Sequence, residues 1–367
     1  MQYRTDRYGN QLSVLGFGCM RFPRKLGQID MAETEREILT AIEGGVNYFD
    51  TAYIYPGSEA ALGQILEKNG LRDKVNIATK LPHYLIRSRD AMEKLFQEEL
   101  KRLRTDHVDY YLMHMLTDPA TWARLKGLGI EEWLREKKAS GQIRQVGFSY
   151  HGNSRVFCAL LDEYDWDFCQ IQYNYLDEHS QAGRRGLHYA ASKGIPVVIM
   201  EPLRGGALAN VPEDVAALLP KSPVESALDF LWNMPQVNVV LSGMSTTEQV
   251  EQNMAYAAHA TAGMLTDAEV HALLMAGNKL RMKSSINCTG CGYCSVCPND
   301  IAIPDIFAMF NRAQRDGDGV RSMREYRALK ERNQSGCIEC GACVAACPQH
   351  LNIPEELKKL HQRWGEK

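Results

Sequence analysis

The chain has 367 residues, 45% of them hydrophobic and 24% charged, with a formal net charge of −3. Positive and negative residues are interspersed, so there is no basic field for nucleic acid or an anionic membrane surface, and neither partner is expected. No apolar run reaches the roughly 18 residues of a membrane span, and the polar N-terminus is unlike a signal peptide, so a cytoplasmic location is expected.

Short runs rich in β-branched, aromatic and aliphatic residues recur at 12–19, 47–52, 75–81, 108–115, 145–150, 167–174, 196–203 and 237–244. Helical stretches separate them. In one, Met92, Leu95, Phe96, Leu100 and Leu103 set an apolar stripe at helical spacing, facing a sheet. Eight strands alternating with helices predict a closed parallel (β/α)8 TIM barrel more readily than an open sheet. No Gly-x-Gly-x-x-Gly follows the first strand, which speaks against a Rossmann domain. The expected division is a barrel over 1–262, a helical connection over 263–282 and a small, mainly helical cysteine-rich domain over 283–367. Within that domain, 303–313 and 323–332 read as helices, and 316–319 (Asp-Gly-Asp-Gly) as a turn or mobile loop.

Three polar residues close apolar runs: Asp50, Lys80 and His114, with Tyr55 just beyond the first. Each has a structural reading of its own, a snorkelling lysine or a satisfied core histidine. Together they fall at the C-terminal ends of strands two, three and four, which converge on one mouth of a barrel. There an ammonium beside a phenol favours the phenolate, the aspartate holds the ammonium in place, and the phenol can protonate a carbonyl oxygen becoming an alkoxide.

On these residues the sequence resembles the aldo-keto reductases, whose Asp, Tyr, Lys and His pattern is matched by Asp50, Tyr55, Lys80 and His114. The resemblance covers about residues 1–260. It implies hydride transfer between an extended nicotinamide cofactor and a carbonyl, with His114 orienting the carbonyl. It further implies that Ser149 and Gln170 hold the carboxamide, that Glu201, Pro202, Leu203 and Arg204 belong to the loop wrapping the pyrophosphate, and that Gly243, Ser245, Gln249 and Asn253 line the adenosine-phosphate site. Thr246 and Gln249 also read as a capping box. Two departures stand out. Met200 occupies the place where many relatives stack an aromatic ring, and Gly243 and Gln249 lie where many have the Lys and Arg of a 2′-phosphate site. NADP(H) is the family default, and NAD(H) is the alternative. Met20, Arg21, Tyr84 and Met115 are candidate substrate-pocket residues, but they select no compound.

Of the eleven cysteines, Cys19, Cys158 and Cys169 sit in apolar contexts and read as core residues. The rest form two motifs: Cys288, Cys291, Cys294 and Cys297 before Pro298, and Cys337, Cys340, Cys343 and Cys347 before Pro348. In a reducing compartment such clusters bind metal rather than forming disulfides. Thiolates repeating every third residue wrap three corners of a cubane, and the remote Cys before Pro reaches the other cluster. That pattern assigns Cys288, Cys291, Cys294 and Cys347 to one [4Fe-4S] cluster and Cys337, Cys340, Cys343 and Cys297 to a second. Zinc ribbons supply paired rather than tripled spacings. The wide separation of the motifs resembles helical ferredoxins, and a redox partner protein is a possible companion to the small carbonyl or alcohol substrate. The alternative function is an iron–sulfur electron-transfer protein whose barrel is a docking scaffold or holds a flavin.

Overall fold

The computed structural model describes residues 1–283 and 285–365, with residues 315 and 316 described by backbone alone. The eight apolar runs become β1 (Leu15–Gly18), β2 (Tyr48–Asp50), β3 (Asn76–Leu81), β4 (Val108–Met113), β5 (Ile143–Tyr150), β6 (Phe168–Gln172), β7 (Val197–Met200) and β8 (Val237–Ser242). They pair in the order β6-β7-β8-β1-β2-β3-β4-β5 and close into a barrel. Every neighbouring pair is parallel. A parallel strand has helix outside and barrel interior inside, which is why β4 is buried at every residue and shows no polar alternation.

The interior is filled by Leu12, Tyr48, Ala78, Tyr110, Leu112, Phe168, Val198, Val239 and Leu241. Gly16 makes room for this filling, because a Cβ there would stand 2.7 Å from the side chains of Leu241 and Val239. Outside, the helix Arg89–Leu103 buries Met92, Phe96, Leu100 and Leu103 from the expected stripe and is capped by the Ser88 hydroxyl on the Ala91 amide. Two antiparallel hairpins had no sequence expectation: Tyr3–Thr5 with Gln11–Ser13, and Arg24–Lys25 with Gln28–Ile29. The first takes the start of the run at 12–19, so the barrel strand begins only at Leu15. Its turn is held by Asp6, whose carboxylate accepts the amides of Tyr8 and Asn10.

The chain forms two compact units. One comprises Met1–Pro202 and Ala227–Thr266 and contains the barrel; the other comprises Leu203–Ser226 and Asp267–Lys367. Of the domain expected over 283–367, residues 284, 366 and 367 lie outside the described residues. The second unit is built on the helices Asp267–Lys283, Ile303–Asp316, Gly319–Ala328 and Ile353–Trp364. Its core includes Ile286, Ile306, Phe307, Tyr326, Leu357, Leu360 and Trp364. Each Cys-Pro pair is followed by a helix opening on Ile-Pro, with proline in the first turn, where its missing N–H costs nothing. The stretch 316–319 is a tight turn between two helices. One helix runs through Asp316, the next starts at Gly319, and Gly317 at φ 73° makes the left-handed stop between them.

Candidate active site and cluster site

The barrel gathers the residues that the strand ends nominated. β2 ends on Asp50, and the parallel register sets Asp50 opposite Ala78, two residues before Lys80 on β3. The Lys80 ammonium, 1% exposed, donates to Asp50 Oδ1 at 2.5 Å and to the Thr51 carbonyl at 2.7 Å. It stands 5.1 Å from the centre of the Tyr55 ring. His114 meets Tyr55 edge to face, with ring centres 6.0 Å apart. Burial, and then the Lys80 ammonium with His151 and His83, hold the His114 imidazole well below its ordinary pKa, so the ring is neutral near pH 7.

Next to Lys80, at Thr79, begins a buried carboxyl pair. Thr79 donates to Glu59 at 2.6 Å, and Arg102 reaches the other Glu59 oxygen at 3.2 Å. Burial pushes Glu59 up to about 7. Tyr111 donates to the neighbouring buried Glu99 at 2.6 Å.

The residues expected to hold a cofactor are distributed as follows. Ser149 pairs with Gln170 across β5 and β6, and Gln172 with Met200 across β6 and β7. The Gln170 amide donates to Asp50 Oδ2 at 2.8 Å, so this residue also belongs to the charge network around Lys80. Ser149 Oγ accepts the Met115 N–H at 2.9 Å. Met200 packs on the barrel filling. Glu201, at φ 56°, turns the chain and offers its carbonyl to Asn174 at 3.0 Å. Pro202 ends the first unit, whereas Leu203 and Arg204 fall in the second. Arg204 is buried there, and its guanidinium acts on the Cys288 thiol. After β8, Gly243 is exposed and Ser245 donates its N–H to the Gln249 side chain at 2.9 Å. The capping box is present on one side, with Thr246 Oγ1 accepting the Gln249 N–H at 3.3 Å. Asn253 donates to Ser242 at 3.0 Å. Of the pocket candidates, Tyr84 is exposed and Met115 adopts φ 55°.

Sequence reasoning passed over His83 and His151, both buried close to His114. They follow β3 and β5, so the strand-end rule that nominated Lys80 and His114 could have found them. Glu33 was also missed. It lies on the helix Met31–Glu43, and its carboxylate accepts from Thr247.

In the second unit Cys288, Cys291, Cys294 and Cys347 line one pocket, shared with Ile303 and Phe307. Cys343 is influenced by Cys297 and Cys337, and Cys340 is exposed. Thus each motif contributes its Pro-adjacent cysteine to the other's neighbourhood. The loops repeat as well. Positive φ falls at Gly290 and Glu339, at Gly292 and Gly341, and at Asp300 and His350, equivalent positions in the two motifs. The first motif, one residue shorter before its last cysteine, bridges the gap with the 3₁₀ turn Tyr293–Val296, where the second uses the α turn Ala342–Ala345.

The donor set fits a cluster. Burial, joined by Cys291 and Cys347, pushes the Cys288 thiol up to about 11, and Cys294 is pushed up to about 12. Such thiols ionise together only around a strongly cationic centre. Among the described residues no three or more His, Cys, Asp and Glu side chains converge closely enough to hold a single ion. The cysteines instead surround a volume.

Comparison with known proteins agrees with this geometry. An aldo-keto reductase of Mycolicibacterium vanbaalenii is 29% identical over 253 residues, covering 67% of this chain and 82% of that protein. One of Mycobacterium avium is 29% identical over 250 residues, covering 66% and 80%. Among solved structures, the aldo-keto reductase AKR11C1 of Bacillus halodurans in its holo form has a TM-score of 0.63 at 26% identity, covering 75% of this chain and 96% of that one. The aldo-keto reductase of Klebsiella pneumoniae in complex with NADPH, with a TM-score of 0.61 at 21% identity, covers 74% and 93% and is a likeness of fold. A model of the 4Fe-4S dicluster domain matches residues 287–351. The aldo/keto reductase family model matches residues 14–272, more than half of the sequence, and the chain therefore belongs to the aldo/keto reductase family, an oxidoreductase that continues into a C-terminal 4Fe-4S domain.

Proposed function

We propose that the protein interconverts a carbonyl and an alcohol, with Tyr55 giving a proton to the carbonyl oxygen during reduction and taking it back during oxidation. The observation that carries this reading is the Lys80 ammonium, buried, tied to Asp50 at 2.5 Å and held 5.1 Å from the Tyr55 ring centre. A buried ammonium stabilises the phenolate and so eases proton loss from Tyr55. Asp50 and the Thr51 carbonyl fix the ammonium, and Gln170 fixes the second Asp50 oxygen. Neutral His114 orients the carbonyl as a hydrogen-bonding group without adding charge. An electron-transfer protein using its barrel only as a scaffold has no need of this arrangement.

When bound, a nicotinamide cofactor supplies or takes the hydride. With one amide hydrogen on Asp50, Gln170 would still have its carbonyl oxygen and its other N–H, and Ser149 its hydroxyl, to hold a carboxamide. Met200 would cover the ring, and Glu201 and Pro202 would serve the pyrophosphate; Leu203 and Arg204, which the resemblance groups with them, fall in the second unit. Gly243, Ser245, Gln249 and Asn253 serve the adenosine end, with NADP(H) the family default. In the C-terminal domain, Cys288, Cys291, Cys294 and Cys347 would hold one [4Fe-4S] cluster, and Cys297, Cys337, Cys340 and Cys343 a second. We take 1–262 as barrel, 263–282 as connection and 283–367 as cluster domain. No helix among the described residues is long and apolar enough to cross a membrane, and cysteines clustered for metal binding suit a reducing, cytoplasmic setting. The test is Tyr55→Phe, measured anaerobically against a panel of carbonyl compounds. Cofactor affinity is expected to persist while turnover falls by about 10²–10⁴-fold, the usual worth of general acid catalysis. Undiminished turnover would remove Tyr55 from the reaction.

A further inference from the structure

The helix Thr247–Ala257 opens where the family resemblance places the adenosine phosphate, and its free amides would ordinarily attract one. Here they are already engaged. Thr247 donates its N–H at 3.3 Å and its hydroxyl at 3.0 Å to Glu33 Oε1. The Gln249 N–H goes to Thr246 at 3.3 Å, and the Ser245 N–H, just ahead of the helix, goes to Gln249 at 2.9 Å. Glu248 binds its own N–H and the Thr246 hydroxyl, which lowers its carboxyl.

The charges around this turn are mainly negative. Glu33 arrives from the helix Met31–Glu43 and pairs at 2.5 Å with Arg36, which is 61% exposed. Arg36 is set against the carboxylates of both Glu33 and Glu248. Glu37, fully buried with neither carboxyl oxygen hydrogen-bonded among the described residues, is pushed up to about 8 by burial and by Glu33, and is largely neutral at pH 7. Asp30 adds a further carboxylate, spent on capping its own helix. Arg21, whose side chain lies against Gly243 in the preceding loop, is a second cation near this end, so the carboxylates of Glu33, Glu248 and Asp30 face two guanidinium groups.

A 2′-phosphate brings nearly two negative charges into this turn and would have to displace a carboxylate from the helix amide it caps. A ribose 2′-hydroxyl has the opposite need, because it donates to a carboxylate. We propose that Glu33 is the specificity-determining residue of the adenosine end, accepting from the ribose diol and excluding a 2′-phosphate, so that the protein uses NAD(H) in preference to NADP(H). This inference rests on the nicotinamide reading above and reverses the preference that the family resemblance implies.

The experiment measures dissociation constants of NADH and NADPH for the anaerobically purified holoprotein by calorimetry, with 5′-AMP and 2′,5′-ADP as probes of the adenosine end alone. NADH and 5′-AMP are expected to bind about tenfold or more tightly than their phosphorylated counterparts, the worth of one charge-assisted hydrogen bond. Glu33→Gln keeps an oxygen for the Thr247 amide and removes the charge, so it should narrow the gap mainly by improving NADPH binding. Gln249→Arg, at an exposed position, should do the same by adding a cation. Tighter binding of NADPH than NADH by the wild type overturns the proposal, and so does an unchanged ratio in the folded Glu33→Gln protein. Binding of neither dinucleotide would instead bring down the nicotinamide reading itself.

Discussion

At the scale of the residue, the unusual group is Glu99. It is wholly buried on the helix Arg89–Leu103; one oxygen takes the Tyr111 hydroxyl, and the other has no hydrogen-bond partner among the described residues. Burial first, and then the neighbouring Glu59, hold its carboxyl well above the ordinary value of 4.5. A raised carboxyl stabilises the fold below its unfolded pKa, and that contribution is lost as pH rises through the folded value. Glu99→Gln keeps an acceptor for Tyr111 and never ionises. It should therefore unfold at a higher temperature than the wild type near pH 8, by the equivalent of about 1–3 kcal/mol, and differ little near pH 5. Thermal unfolding at the two pH values checks this, and a difference that is the same at both would show that Glu99 is already ionised in the folded protein. Glu59 in turn feels the Lys80 ammonium, which offsets part of the burial that raises it.

At the scale of the element, the two cysteine motifs show what their loops require. Gly292 at φ 78° and Gly341 at φ 74° hold the left-handed position that opens the turn carrying the third cysteine. An alanine there should cost roughly 1–2 kcal/mol. Glu339 at φ 53° stands where the first motif has Gly290, so Glu339→Gly should be neutral or stabilising. Unfolding of anaerobically prepared Gly341→Ala and Glu339→Gly against wild type tests both, and equal destabilisation by the two would mean that the cluster, not the backbone, sets the loop. The repeated spacing of the cysteines was legible in the sequence, and so were the eight barrel strands, because continuous apolar runs and triplet cysteines are local patterns. Asp50, Lys80 and His114 were legible for a related reason, since a polar residue ending an apolar run marks a strand end. What was not legible depends on partners distant in the chain. Glu33 meets Thr247, 214 residues away, and the hairpin at Tyr3–Thr5 pairs strands of only three residues, too short for a periodic pattern to show. At 316–319 the turn was legible but not the helices it joins, because Asp and Gly favour turns equally whether they end a helix or form a loop.

At the scale of the whole molecule, one chain joins two kinds of redox chemistry that count electrons differently. The cysteine arrangement predicts close to eight irons per chain in anaerobically purified protein, as for two four-iron clusters; zinc without iron would reject the assignment. A nicotinamide gives up two electrons together as hydride, whereas a [4Fe-4S] cluster accepts one, so direct exchange needs a carrier able to stop at the one-electron stage, such as a flavin. Nothing in the proton chemistry assigned to Tyr55, Lys80 and His114 makes use of such a stage. Carbonyl reduction should therefore proceed with the clusters remaining oxidised, leaving them to stabilise the C-terminal domain or to serve a separate redox partner. The decisive measurement adds NADH or NADPH anaerobically to flavin-free protein with oxidised clusters, and follows visible absorbance and the EPR signal beside substrate turnover. The clusters are expected to stay oxidised over many turnovers. Their reduction by the nicotinamide alone, as fast as turnover, would show that hydride chemistry and cluster chemistry are wired together within this chain.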